Sequence, residues 1–123
     1  MAKPTTIEIT LPVPPSVNRI WRTGNGRTYK DAKARAYGLA VEAAWRTAKL
    51  PRPAFPDGVS VKYRLIWYRF PASGDLSNRL KLVEDALNGL AWADDKQIVE
   101  CHAFREDCKR GHQKVLLYIE EAK

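Results

Sequence analysis

The alternation of apolar and polar residues over positions 59–70 constrains the fold of this chain more than any other feature. A period of two places the apolar side chains on one face of a β-strand and the polar ones on the other. The segment therefore predicts a half-buried strand in a sheet whose inner face is covered by helices. The alternating apolar residues are Val59, Val61, Tyr63, Leu65 and Trp67.

Three segments precede this strand. Residues 5–11 alternate in the same way and predict a first strand. Residues 16–29 predict a loop with Gly24-Asn25-Gly26 at its tip, since glycines favour turns. Residues 31–50 predict a helix, because small apolar residues recur at spacings of three and four. These residues are Ala36, Leu39, Ala40, Ala43, Ala44 and Ala48.

Three segments follow it. A second helix is predicted over residues 75–88, ending at Gly89. Strands are predicted over residues 97–104 and 114–119, and the polar stretch 105–111 is expected to join them as a hairpin. The second helix carries one apolar stripe at spacings of four, three and four. Its residues are Leu76, Leu80, Val83 and Leu87.

The order strand, helix, strand, helix, strand, strand predicts an α+β protein. A length of 123 residues fits a single domain spanning residues 1–123, with a mixed sheet of about four strands and two main helices. The modest core that such a chain can build would suit a homodimer. Large aromatic residues could serve either the core or that interface. The candidates are Trp45, Trp67, Tyr68, Trp92 and Phe104.

The net charge of +7 indicates a polyanionic partner, either nucleic acid or an anionic membrane. The membrane is the weaker choice, because no apolar run approaches the roughly 18 residues of a spanning helix. The N-terminus also lacks the apolar core of a signal peptide, so we expect a cytoplasmic, nucleoid-associated protein.

The chain has two cysteines, Cys101 and Cys108, with His102 and His112 close in sequence. Their order lacks the paired spacing of zinc modules, and adjacent strand residues point to opposite faces. Reduced thiols on an ordinary strand and loop are therefore expected over a zinc site.

A cluster of acidic residues follows the central strand. Asp75 stands at the entrance of the second helix, and Lys81 and Asp85 share its polar face. Asp94 and Asp95 come just before the next strand. Asp75 could be a simple helix cap and the polar face merely solvated. Carboxylates converging from a helix and a strand entrance instead predict a site for Mg²⁺, with phosphodiester hydrolysis as its chemistry.

Basic residues form two groups that can track a phosphate backbone, with Trp21 and Tyr29 available to stack on bases. The alternative is that both groups are solvated surface. The first group comprises Arg19, Arg22, Arg27, Lys30, Lys33 and Arg35. The second comprises Arg105, Lys109, Arg110 and Lys114.

Three blocks of the sequence form a recognisable pattern: LPVPPSVNR from residue 11, GRTY from residue 26, and GDLSNRLK from residue 74 with WADDKQI from residue 92. They resemble the RusA-type Holliday junction resolvases, which are small dimeric Mg²⁺-dependent endonucleases that cut branched DNA. The first block is similar to the opening strand and PPSxNR turn of that family, and the second to the segment ahead of its first helix. The third resembles its catalytic region, D-L-D-N-x-x-K followed by D-D-x-Q-[VI].

The resemblance implies roles for individual residues. Asp75 and Asp95 match metal-binding aspartates, with Asp94 beside the second and Asp85 as a further candidate ligand. Lys81 matches the catalytic lysine. Mg²⁺, or Mn²⁺ in its place, would be the cofactor, and a four-way DNA junction the substrate of a homodimer. The expected DNA-binding residues are Asn18, Arg19, Arg22, Arg27, Lys30, Asn78, Arg79, Lys109 and Arg110.

Ser77 departs from the pattern, because it stands where the family usually has a second aspartate. A hydroxyl is a weaker ligand for hard cations than a carboxylate. Asp85 or Glu84 could supply the missing charge. The chain could instead bind junctions with weak or no cleavage, or carry a substitution introduced to trap a complex.

A non-catalytic DNA-binding module and an RNA-binding protein are further alternatives. A DNA-binding module would explain the basic residues but not the acidic ones. The chain also lacks the aromatic motifs expected of the commonest RNA-binding fold.

Overall fold

The computed structural model describes residues 6–15, 24–70 and 76–122, and for residues 24–31, 77 and 78 it describes the backbone alone. Four strands and two α-helices follow one another in the predicted order, so the α+β prediction is confirmed. Their bounds are β1 Thr6–Leu11, α1 Gly24–Thr47, β2 Val61–Arg69, α2 Leu76–Leu87, β3 Ile98–Asp107 and β4 Lys114–Glu121. A short 3₁₀ helix, Asp95–Gln97, precedes β3.

The four strands form one mixed sheet in the order β1-β4-β2-β3. β4 pairs antiparallel with β1 and with β2, whereas β2 and β3 are parallel. Parallel neighbours need a crossover connection, and α2 lies in that connection. The crossover thus runs from the carboxyl end of β2 through α2 to the turn before β3.

The predicted hairpin between the last two strands is wrong. β2 lies between β3 and β4, so these two strands do not pair. The polar loop instead passes over the end of β2, where Cys108 N donates to Arg69 O at 2.9 Å. Gln113 Nε2 donates to Phe70 O at 3.3 Å from the far side of the loop. The polar turn was correctly located, but turn residues do not determine which strands pair in the sheet.

One face of the sheet and both helices enclose the hydrophobic core. The alternate residues of β2 that the pattern placed inside, from Val61 to Trp67, are buried. Val59 lies before the strand and is half-buried. Trp45 and Trp92 are completely buried within the same core. These tryptophans therefore belong to the interior of one chain rather than to an interface.

Helix α1 corrects two expectations. It begins at Gly24, so the glycines predicted at a loop tip form its first turn. A helical glycine costs about 0.5–1 kcal/mol, which extension of an existing hydrogen-bond ladder can outweigh. Its buried face is also not the alanine stripe. Tyr37, Val41 and Trp45 are buried at spacings of four, whereas Leu39 is 62% exposed. Larger side chains remove more apolar surface from water, so they determine which face turns inward.

Helix α2 follows its predicted pattern. Val83 and Leu87 are buried, and Leu76 and Leu80 pack against the same core. Gly89, just past the helix end, has φ 87°, a backbone conformation that suits glycine. Within the described ranges, neither helix is both long and apolar enough to cross a membrane.

Candidate functional site

The solvent-facing side of α2 holds an ion pair. Lys81 Nζ lies 3.2 Å from Asp85 Oδ1, one helical turn along, and both side chains are largely exposed. Such a pair contributes little stability by itself, since water and side-chain entropy oppose it. Its importance lies in the protonation state of Lys81. The hydrogen bond and charge of Asp85 raise the pKa of Lys81 above the ordinary lysine value, and the charges of Asp95 and Glu84 add smaller upward effects.

Asp95 belongs to a different element from Lys81, and its charge has a small upward effect on the pKa of that lysine. Lys81 lies on α2, and Asp95 begins the 3₁₀ helix after the α2–β3 connection. The carboxylate of Asp95 is near enough for its charge to raise the pKa of that lysine. The charges of Asp85 and Asp95 thus act on Lys81 in the same direction, and the assignment of all three residues to a metal site stays a prediction.

Asp94 serves a local structural role beside this neighbourhood. Its Oδ1 accepts from Lys96 N at 3.0 Å, which caps the 3₁₀ helix. This backbone hydrogen bond, and then a hydrogen bond with Asp95, hold the pKa of Asp94 below the usual aspartate value. Asp94 is thus ionised at neutral pH with one oxygen already engaged.

Glu84 fixes α2 to the central strand. The buried hydroxyl of Tyr63 on β2 donates a short hydrogen bond to Glu84 Oε2. Burial, and then the Glu84 carboxylate, raise the pKa of Tyr63 far above that of a free phenol, so the hydroxyl stays a donor. The Tyr63 ring stacks on Trp92 with centroids 5.8 Å apart. Glu84 is therefore engaged with the central strand, whereas Asp85 is paired with Lys81 on the exposed side of α2.

The remaining predicted residues of the acidic cluster lie at or beyond the limits of the description. Asp75 falls outside the described residues. Ser77 and Asn78 lie in the first turns of α2, where the structure describes their backbone alone. Their assignment to the site stays a prediction.

The donor chemistry of the described residues fits a hard divalent cation. Asp85, Asp94 and Asp95 offer carboxylate oxygens, which Mg²⁺ prefers. Among the described residues, no three acidic, histidine or cysteine side chains by themselves form a group that could hold a metal ion. Asp75, which the sequence predicts as a further ligand, lies outside that part of the chain.

Arg79 makes contacts within the chain. Its Nη1 donates to Pro14 O at 2.8 Å, and its guanidinium lies over the Trp67 ring, 4.7 Å from the centroid. Burial lowers its pKa from the ordinary arginine value. These contacts join α2 to the segment after β1, so the DNA-binding role predicted for Arg79 stays a prediction beside an observed structural one.

The other predicted DNA-binding residues divide into three groups. Lys109 and Arg110 are exposed on the β3–β4 loop. Arg27 and Lys30 lie in the first turns of α1, described by their backbone alone. The others, which are Asn18, Arg19 and Arg22, lie outside the described residues.

Basic and aromatic side chains alternate at the carboxyl end of β2. Arg110 lies over the Phe70 ring at 5.4 Å, and Lys114 lies over the Tyr68 ring at 5.3 Å. Phe70 remains 36% exposed. An exposed ring flanked by cations is suited to contact both the bases and the phosphates of DNA.

The cysteine and histidine residues are spread over β3 and its loop. Cys101 is exposed and Cys108 half-buried, and both are free thiols. His102 Nε2 lies 2.6 Å from Glu100 Oε2 on the same strand, and this contact lowers the pKa of Glu100.

Sequence reasoning missed the role of Gln97. It is the one buried polar side chain among residues 6–15, 32–70, 76, 79–122, whose side chains are described. Its amide binds both Asp94 N, at 3.0 Å, and the carbonyls of the segment before β2. The spacing of three between Asp94 and Gln97 is the capping-box pattern and could have revealed part of this role.

The sequence also matches a family model and a set of relatives. The model for Endodeoxyribonuclease RusA matches residues 12–120. The chain belongs to the RusA endodeoxyribonuclease family. Within that family it is 32% identical, over 117 residues, to the crossover junction endodeoxyribonuclease RusA of Escherichia coli K12. Proteins of that name from Shigella sonnei and from Enterobacteria phage 82 show the same 32% identity. In each case the match covers 94% of this chain and 95% of the RusA relative.

Proposed function

We propose that this chain is a Mg²⁺-dependent endodeoxyribonuclease that cuts branched DNA, with the four-way junction as substrate. One observation carries the proposal. Lys81 Nζ lies 3.2 Å from Asp85 Oδ1 on the exposed face of α2, and the Asp94–Asp95 turn follows this helix in the chain. Membership of the RusA family supports the same conclusion, as do the names of relatives that cover almost the whole chain.

Asp75 and Asp95 would hold the ion, with Asp94 and Asp85 beside them. When bound, Mg²⁺ would polarise a phosphoryl oxygen and lower the pKa of a bound water. Lys81 would offset the negative charge that grows on the phosphate during attack. Its raised pKa suits this task, because a lysine that stays protonated at neutral pH stabilises charge and does not act as a base.

The basic–aromatic end of β2 would bind the DNA next to this site. Phe70 precedes Asp75, the first predicted metal ligand, by five residues of sequence. Arg110 and Lys114 supply cations at the same end. Removing either charge should weaken binding and reduce its salt dependence, since fewer counterions would be released.

Junction cleavage with a metal titration tests the proposal. A labelled four-way junction and a linear duplex of the same sequence are incubated with Mg²⁺, Mn²⁺ or EDTA. We expect metal-dependent cuts in the junction and none in EDTA. Asp75→Asn and Lys81→Gln should bind the junction but cut at least 100-fold more slowly, which corresponds to about 2.7 kcal/mol of transition-state stabilisation. Glu8→Gln, which removes an exposed carboxylate from β1, is the matched control and should cut like the parent.

Ser77→Asp distinguishes the proposal from its alternative. If the parent cuts, the added carboxylate should lower the Mg²⁺ concentration required. The parent could instead bind junctions and fail to cut them with either Mg²⁺ or Mn²⁺, while Ser77→Asp gains cleavage. In that case the chain is a branched-DNA-binding protein and the endonuclease proposal fails.

The proposed enzyme is a homodimer, because a two-fold pair offers one active site for each of two symmetric strands. β3 is the candidate interface. It is an edge strand of the described sheet and leaves Val99 61% and Phe104 46% exposed. Light scattering should give twice the chain mass of 14.0 kDa at micromolar concentration, and Phe104→Asp should halve it. A monomeric parent would contradict the dimer.

A further inference from the structure

The side-chain amide of Gln97 uses its full hydrogen-bonding capacity inside the protein. Its Oε1 accepts from Ala93 N at 2.9 Å and from Asp94 N at 3.0 Å. Its Nε2 faces three carbonyl oxygens, those of Phe55 at 3.2 Å, Pro56 at 2.9 Å and Val59 at 2.8 Å. Because Gln97 is only 6% exposed, water cannot replace these partners.

These contacts connect the acidic turn to the segment that leads into β2. The two segments also meet through backbone hydrogen bonds, from Ala54 N to Leu90 O at 2.9 Å and from Phe55 N to Ala91 O at 2.8 Å. Those bonds reach only to residue 91. The amide of Gln97 continues the connection to residues 93 and 94.

Asp95 therefore lies inside a closed hydrogen-bonded turn. On one side Asp94 N donates to Gln97 Oε1, and Gln97 N donates back to Asp94 O at 3.0 Å. On the other side the Gln97 side chain is anchored to the carbonyls before β2. A shift of the backbone that carries the Asp95 carboxylate would disturb the hydrogen bonds of the Gln97 side chain, which are partly or fully buried.

We infer that Gln97 is a positioning residue for the proposed metal site. Its amide would hold the turn so that the Asp95 carboxylate stays in place for a divalent cation. The inference rests on the proposed function. Residues that orient metal ligands from outside the coordination shell typically change metal affinity or activity by about 10- to 100-fold when replaced.

Replacement of Gln97 by methionine tests this. Methionine keeps the length of the side chain but cannot bind the two N–H groups or the three carbonyls. Mn²⁺ binding to the protein alone is measured by electron paramagnetic resonance of the free ion, at a temperature where every variant is folded. We expect Gln97→Met to bind Mn²⁺ about 10- to 100-fold more weakly and to lower kcat for junction cleavage, with junction KM little changed.

Tyr37→Phe controls for loss of stability alone. It removes another buried hydrogen bond, from Tyr37 Oη to Pro12 O at 2.8 Å, and should leave Mn²⁺ affinity unchanged. If Gln97→Met does not fold, Gln97→Glu carries the comparison, because a carboxylate keeps the acceptor oxygen but cannot donate to the carbonyls before β2.

The outcomes separate the two proposals. A parent that binds Mn²⁺ and cuts junctions, with a folded Gln97 variant that matches it in both, overturns the positioning role alone. A parent that neither binds Mn²⁺ nor cuts overturns the proposed function, and this inference with it. Equal losses in Gln97→Met and Tyr37→Phe would show that stability, not positioning, sets the Mn²⁺ affinity.

Discussion

The hydrogen bond between Tyr63 and Glu84 should be measurable as a coupling between β2 and α2. Tyr63→Phe keeps the buried ring and its stacking on Trp92, and it removes only the hydroxyl. A hydrogen bond to a charged group contributes about 1.5–3 kcal/mol. Glu84 is half-buried, so water recovers part of this once the hydroxyl is gone. We therefore expect the free energy of unfolding to fall by about 1–2 kcal/mol.

Urea denaturation followed by circular dichroism is a suitable assay. A denaturant slope of about 2 kcal/mol per molar urea, in the middle of the range for small proteins, converts this loss into a midpoint shift of about 0.5–1 M. Glu84→Gln and the double variant complete a double-mutant cycle, whose coupling energy should be about 1 kcal/mol. The coupling isolates the contact from any general effect of either substitution.

Tyr37→Phe supplies the control cycle, because its hydroxyl donates to the Pro12 carbonyl and not to Glu84. Combined with Glu84→Gln, it should be additive within about 0.3–0.5 kcal/mol. A coupling that small for Tyr63 and Glu84 would refute the reasoning, since it would mean that this contact does not hold α2 on the central strand.

Two further predictions concern the helices. The ε-carbon resonance of Lys81 should titrate above the ordinary lysine pKa of about 10.4, and Asp85→Asn should lower that value. Because the folded-state pKa is raised, the stabilisation is complete below the unfolded pKa and is lost as pH rises through the folded one. A pKa at or below the ordinary value would contradict the ion pair. Leu87→Ala should cost about 2–5 kcal/mol of unfolding free energy, because that side chain is fully buried, whereas the exposed Leu39→Ala should cost under about 0.5 kcal/mol. Equal costs in urea denaturation would show that the buried faces are misassigned.

Local sequence patterns were sufficient to predict several parts of the fold. The period of two over β2 identified its inner face, since alternation follows directly from strand geometry. The stripe on α2 was equally readable, and it placed Lys81 and Asp85 on a shared outer face. Its end at Gly89 follows from the freedom of glycine to adopt positive φ.

Other features depended on competition between segments. Both the alanine stripe and the Tyr37–Trp45 face of α1 have helical spacing, and only packing against the sheet selects the face that buries more apolar surface. The sheet order is a similar case. Polar residues indicated a turn between β3 and β4, but β2 occupies the place between them because α2 returns the chain parallel to it.

The sequence by itself determined the chemistry that this protein can carry: a basic chain, an acidic cluster with one lysine, and strands and helices in a fixed order. These follow from residue types and from periodicities a few residues long. The tertiary structure decided which groups act on one another. It brought the charge of Asp95 to Lys81, and it engaged Glu84 with Tyr63 and Arg79 with Pro14. It also gave Gln97 partners about 40 residues away, at Phe55, Pro56 and Val59. Contacts at that separation form only when the sheet and helices pack, because no local pattern specifies which distant carbonyl a buried amide will meet.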